Sequence, residues 1–106
     1  MTKIKDVIRA LESLAPPSLQ ESYDNAGLLT GDKEQEVSAI IVSLDTLEEV
    51  VDEAIQNKAN LIVSHHPIVF TGLKSITGKN YIERVLLKAI KHDIAIYAIH
   101  TNLDNV

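Results

Sequence analysis

The chain has no cysteine. It can build neither a disulfide frame nor a thiolate metal site, so imidazole and carboxylate are the strong ligands that remain to it. Positive charge is scarce as well. Ten Lys and Arg stand against fifteen Asp and Glu, for a formal net charge of −5. That balance leaves no general basic surface to neutralise a phosphate backbone, and extended nucleic-acid binding is disfavoured. No apolar run approaches the roughly 20 residues that cross a bilayer, and the opening Met1-Thr2-Lys3-Ile4-Lys5-Asp6 lacks the apolar core of a secretory signal. No membrane partner is expected, and the expected compartment is the cytoplasm. Internal repeats and low-complexity segments are missing too.

What is present has the balance of a globular protein: 106 residues, 45% hydrophobic and 24% charged. A chain of that length buries roughly 60 to 70% of its unfolded surface, which suits a single domain over residues 1–106 around one core. Ile4, Val7, Ile8 and Leu11 recur at helical spacing, with Thr2 as the expected N-cap and Ala15-Pro16-Pro17 as the stop. Residues 16–36 are rich in turn formers and read as a connector.

Three apolar runs of strand length follow. Residues 37–44 are β-branched and read as a strand covered on both faces, ending at Asp45. Thr46 and Glu49 have capping-box spacing ahead of a helix with an apolar stripe of Leu47, Val50, Val51, Ala54 and Ile55, ending near Gln56-Asn57. Residues 61–64 form a second strand that stops at His65-His66-Pro67. Residues 71–80 read as a loop. Asn80 and Glu83 then have cap spacing ahead of a helix bearing Ile82, Val85, Leu86, Ala89 and Ile90. Residues 94–99 form a third strand, ending at His100. Strict alternation of strand and helix, with connections too long for hairpins, predicts an α/β fold: a parallel βαβαβ layer with helices packed against it.

Chemistry-bearing residues follow each strand: Asp45 after the first, His65 and His66 after the second, His100 and Asp104 after the third. In a parallel sheet these positions share the carboxyl edge, where ligands bind. Neutral imidazole and ionised carboxylate form the ligand set for Zn, Mn, Fe or Ni, and two such ions about 3.5 to 4 Å apart can share a water as nucleophile. Successive strand residues point to opposite faces, so His65 and His66 can meet one site only if the chain turns there, and Pro67 fits such a stop. Each residue also has a plainer reading. The histidine pair can be a solvated strand exit, His100 a hydrogen-bonded core histidine, and Asp104 a turn former. Asp45 can simply complement a helix N-terminus, as His92 can cap a helix end on the surface and Lys74 can be a solvated loop lysine.

Taken together, Tyr23-Asp24-Asn25-Ala26-Gly27-Leu28, Ser43-Leu44-Asp45-Thr46, Ser64-His65-His66-Pro67 and Ala98-Ile99-His100-Thr101-Asn102-Leu103-Asp104 closely resemble the GTP cyclohydrolase 1 type 2, or NIF-three-like, family. The resemblance runs from end to end of the chain. It implies a site for two divalent metal ions, with His65 and His66 as terminal ligands and Asp104 as a bridging one. His100 becomes the candidate for proton transfer, and Asp24-Asn25 for shaping a loop over the site. Gly27 can alternatively be a left-handed turn position.

Members of that family are longer. They have two similar α/β lobes, assemble as hexamers built from dimers, and take their remaining ligands from a His and a Glu four apart further along. The resemblance therefore casts this chain as the N-terminal part of a homo-oligomeric protein. It implies a metal-dependent hydrolase with GTP cyclohydrolase-type activity on purine nucleotides or related small molecules. The alternative is a non-catalytic, metal-stabilised scaffold that recruits partners.

Overall fold

The apolar runs and amphipathic segments form a single sheet with helices on both faces in a computed structural model, which describes residues 1–15, 27–66 and 75–99. The elements in chain order are α1 (Ile4–Leu14), β1 (Gly27–Thr30), β2 (Ile40–Ser43), α2 (Glu48–Gln56), β3 (Leu61–Ser64), α3 (Tyr81–Lys91) and β4 (Ala95–Ala98). β2 pairs with β3 and β3 with β4, both in parallel, so that Ser43, Ser64 and Ala98 stand in one row across the sheet. This is the expected βαβαβ unit, and the fold is α/β.

The sheet has one more strand than the apolar runs predict. β1 pairs antiparallel with β4 and gives the order β1-β4-β3-β2. Four residues opening on a glycine inside a turn-rich stretch carry no readable period, and it is the pairing with β4 that defines the strand. The exit from β1 is tight. Gly31 has φ +120°, and a Cβ placed on it would lie 2.4 Å from the Cβ of Ala95, so only glycine lets the chain leave at this closeness.

Alternation along the strands sorts the core into two clusters. Ile62 and Ile96, with Ile41 partly buried, face α2 and α3 and pack against Val51, Ala54, Val85, Leu86 and Ala89. Leu61, Val63, Ala95 and Tyr97 face the other way, toward Ile4 and its neighbours Val7, Ile8 and Leu11 on α1. β3 and β4 are thereby buried along their whole length. β2 is not, contrary to the expectation for residues 37–44: Ile40 is 41% and Val42 78% exposed. It is an edge strand, and those two residues lie outside the cluster beneath α1.

Helix starts correct the sequence reading at two places. α1 is capped at Lys3 rather than Thr2. The Lys3 N–H donates to Asp6 Oδ2 at 2.9 Å, while the Thr2 carbonyl accepts from Val37 N–H at 2.8 Å. α2 begins after Leu47 with no side-chain cap, because Thr46 turns inward to the sheet instead of closing a box with Glu49.

The third start forms as expected: Asn80 Oδ1 accepts from Glu83 N–H at 3.0 Å. Glu83 is buried, and its Oε1 accepts from the backbone N–H groups of Thr77, Gly78 and Lys79 at 3.0, 3.1 and 3.2 Å. Those bonds, that of Thr77 foremost, hold its carboxyl below the ordinary range. His92 ends α3 as the surface cap expected of it, with Nδ1 3.0 Å from the Lys88 carbonyl. Ile90, assigned to the apolar stripe of α3, is instead 53% exposed. Among the described residues no helix is long and apolar enough to cross a membrane.

Candidate functional site

Parallel, in-register pairing sets up the site. Ser43 stands opposite Ser64, so the residues two positions beyond each serine, Asp45 and His66, emerge side by side at the carboxyl edge. The two strand ends are tied off alike: Ser43 Oγ donates to the Asp45 carbonyl at 2.8 Å and Ser64 Oγ to the His66 carbonyl at 3.2 Å. Backbone bonds continue past the last paired residues, from His65 N–H to the Ser43 carbonyl at 3.2 Å and from His66 N–H to the Leu44 carbonyl at 2.8 Å.

Behind them Thr46 Oγ1 donates to Ser64 Oγ at 3.0 Å, a bond between two hydroxyls that are both buried. This clamp explains why Thr46 does not cap α2. Its hydroxyl, once buried, is worth more to Ser64 than to a solvated helix end.

On this frame His66 Nδ1 lies 2.6 Å from Asp45 Oδ1, and each side chain remains nearly half exposed, at 46% and 48%. The His65 ring sits edge-on to that of His66 with centroids 5.0 Å apart. The strand ends at Ser64, so the pair leaves the pleat's strict alternation at this point. β4 reaches the same edge, since Ile99 N–H donates to the Ser64 carbonyl at 2.9 Å.

His100 and Asp104 lie outside the described residues, as do Asp24, Asn25, Pro67 and Lys74. Among the described residues no group of three His, Asp or Glu side chains could hold a metal ion. What is described is a pair of neighbouring imidazoles, one of them held by a carboxylate. That donor set fits half of a nitrogen-and-oxygen metal site.

Asp45 was legible as a strand-end acid at the carboxyl edge or as an acid ahead of a helix; its bond to His66 is the structure's addition. The tying roles of Ser43 and Ser64 went unread, and Thr46 was read as a helix cap. The available signal was the repetition of a strand-terminal serine in Ile40-Ile41-Val42-Ser43 and Leu61-Ile62-Val63-Ser64. A groove of about 460 Å³ elsewhere is lined by Glu48, Arg84, Leu87, Lys88 and Lys91. Arg84 pairs there with Glu48 at 3.1 Å, and Lys88 with Asp52 at 2.7 Å and Glu48 at 3.3 Å. These contacts lower the carboxyl of Glu48, through Arg84 first, and raise the ammonium of Lys88, through Asp52 first. They brace α2 against α3.

With this geometry in view, the chain can be set beside known proteins. The profile of the family described as Duf34/NIF3 (NGG1p interacting factor 3) matches residues 2–106. A GTP cyclohydrolase 1 type 2 homolog of Clostridium acetobutylicum is 43% identical over 104 residues, which cover 98% of this chain and 39% of that protein. A Staphylococcus aureus protein of known crystal structure is similar with a TM-score of 0.91 and 45% identity, over 97% of this chain and 29% of the other. A Bacillus cereus protein related to NIF3 gives 0.90 and 43%, over 97% and 28%. The chain thus spans well under half the length of these relatives. Sequence motifs, fold and similarity agree, and the chain belongs to the Duf34/NIF3 family.

Proposed function

We propose that the chain supplies one half of a site for two divalent metal ions in a hydrolase-like protein. His65 and His66 are its terminal ligands, Asp104 a bridging carboxylate and His100 a proton carrier. The observation that carries this reading is the pairing at the carboxyl edge: two imidazoles side by side, one gripped by Asp45. Histidines that ligate metals characteristically give their other ring N–H to a carboxylate or carbonyl. The donors suit Zn, Mn, Fe or Ni. The chemistry such ions supply is Lewis acidity and the activation of water for attack on the substrate. The chain's own groups hold the ligand geometry and move a proton at His100.

The names of its relatives favour a GTP cyclohydrolase-type reaction on a purine nucleotide or related small molecule. In the whole protein, further ligands come from outside residues 1–106, in a cytoplasmic homo-oligomer. Purified protein, stripped and reloaded with Zn, Mn or Fe, is expected to retain metal through gel filtration and to lose it on His65→Ala or Asp104→Ala. Wild-type protein that retains none overturns the reading.

A second reading has an observation of its own. β2 leaves Ile40 and Val42 exposed along an edge strand, with Leu44 exposed just past its end, and the family description includes the words interacting factor. On that reading the metals are structural and the protein is a non-catalytic scaffold. Hydrolysis of GTP or any of a panel of nucleotides by the loaded, full-length protein supports catalysis; inertness toward all of them, with a closed coordination shell, supports the scaffold.

A further inference from the structure

The bond between His66 and Asp45 fixes more than a distance. An ionised carboxylate has no proton to give, so the hydrogen in the 2.6 Å contact belongs to Nδ1, and whenever the ring carries a single proton the lone pair is on Nε2. Histidine in water favours the opposite tautomer, with its proton on Nε2. Asp45 is well placed to invert that preference. Its carbonyl is pinned by Ser43 Oγ, and the carbonyl of His66 is pinned by Ser64 Oγ. The backbone of His66 is bonded to Leu44, the residue just before Asp45. Both partners therefore spring from tied backbone turns on adjacent strands, which holds their Cα atoms side by side.

We propose that Asp45 is a positioning residue that locks His66 as the Nδ1–H tautomer, so that Nε2 is the nitrogen presented to a divalent cation. Its consequence for metal affinity rests on the metal-site reading above; the tautomer itself does not. An acid placed ahead of α2 only to complement the helix N-terminus would leave the tautomer of His66 unaffected.

The experiment is long-range ¹H–¹⁵N correlation of the imidazole ring in metal-free, ¹⁵N-labelled protein, run as a pH series and read at its alkaline end. It is run on wild type and on the near-isosteric Asp45→Asn, with Asp45→Ala as a second variant and the backbone amide spectrum as the check on folding. Wild type is expected to show the Nδ1–H pattern at His66. Asp45→Asn, whose amide can donate to Nδ1, should shift it to Nε2–H, and Asp45→Ala should relax it toward the solution preference. An Nε2–H pattern in wild type, or the Nδ1–H pattern persisting in both variants, overturns the proposal.

Competition for zinc against a chelator is the second arm, with a roughly ten- to hundredfold weaker affinity expected for Asp45→Asn. Equal zinc affinity in wild type and variant overturns the positioning role. Wild type that takes up no zinc at all, while showing the Nδ1–H pattern, overturns the metal site and leaves the tautomer lock standing.

Discussion

β2 and β3 are almost the same peptide, Ile40-Ile41-Val42-Ser43 and Leu61-Ile62-Val63-Ser64, and they lie paired residue for residue, yet their fates differ. Every residue of β3 is buried, whereas Ile40 and Val42 of β2 stand in solvent. Burial here is a property of address. β3 has a strand on each side and helices above and below, while among the described residues β2 is the last strand of the sheet and lies outside the cluster beneath α1. What the two strands share is their ending. Each closes on a serine that ties down the carbonyl two residues on, and in-register pairing makes those two residues neighbours. The site is thus specified by register, and the stability by position.

The largest expected effect separates the strands by burial. Ile62→Ala should cost about 2 to 5 kcal/mol in chemical denaturation, since its side chain is fully enclosed. Ile40→Ala, whose register partner on β3 is the enclosed Leu61 but which is itself 41% exposed, should cost less than about 1 kcal/mol. Equal losses would mean that β2 is covered after all.

The strand-end serines come next. Ser64→Ala leaves the buried Thr46 hydroxyl without its acceptor and should cost about 1 to 3 kcal/mol. Ser43→Ala removes one partly buried bond and should cost about 1 kcal/mol or less by the same assay. The reverse ranking would break the description of Thr46 and Ser64 as the clamp behind the histidines.

A smaller contrast concerns the helix starts. Glu83 anchors the entry to α3 with its carboxyl held low, so its contribution is present above the unfolded pKa of a glutamate and fades as pH falls through the lower folded value. Glu83→Gln should therefore melt lower than wild type at neutral pH and converge with it in acid. A gap that persists at the acid end would assign the loss to packing instead. Smallest of all, Val42→Lys on the open face of β2 should change stability by no more than about 0.5 kcal/mol. A larger loss would show that something covers that face.

Sequence reading reached what depends on local period and order. β3, α3 and β4 stand almost where the apolar runs place them, because fully buried runs and helical stripes are dictated by residue type. It missed β1, whose four residues acquire meaning only beside β4, and it buried β2, because an apolar run does not state which strand is outermost. At the site, the histidines were visible as residue types after a strand. The bond from Asp45 to His66 was not, since it depends on the register of two strands separated by a helix. Thr46 misled for a similar reason: capping-box spacing is a local signal, and the buried hydroxyl of Ser64 is a tertiary one.

In the proposed site, the carboxyl edge of β2, β3 and β4 holds imidazole nitrogen toward a metal. X-ray absorption at the zinc edge of loaded protein tests that most directly. It should show nitrogen scatterers at about 2.0 to 2.1 Å with the outer-shell pattern of imidazole, weakened in His65→Ala and again in the double variant with His66→Ala. A shell of oxygen alone, or one unchanged by both substitutions, would contradict it.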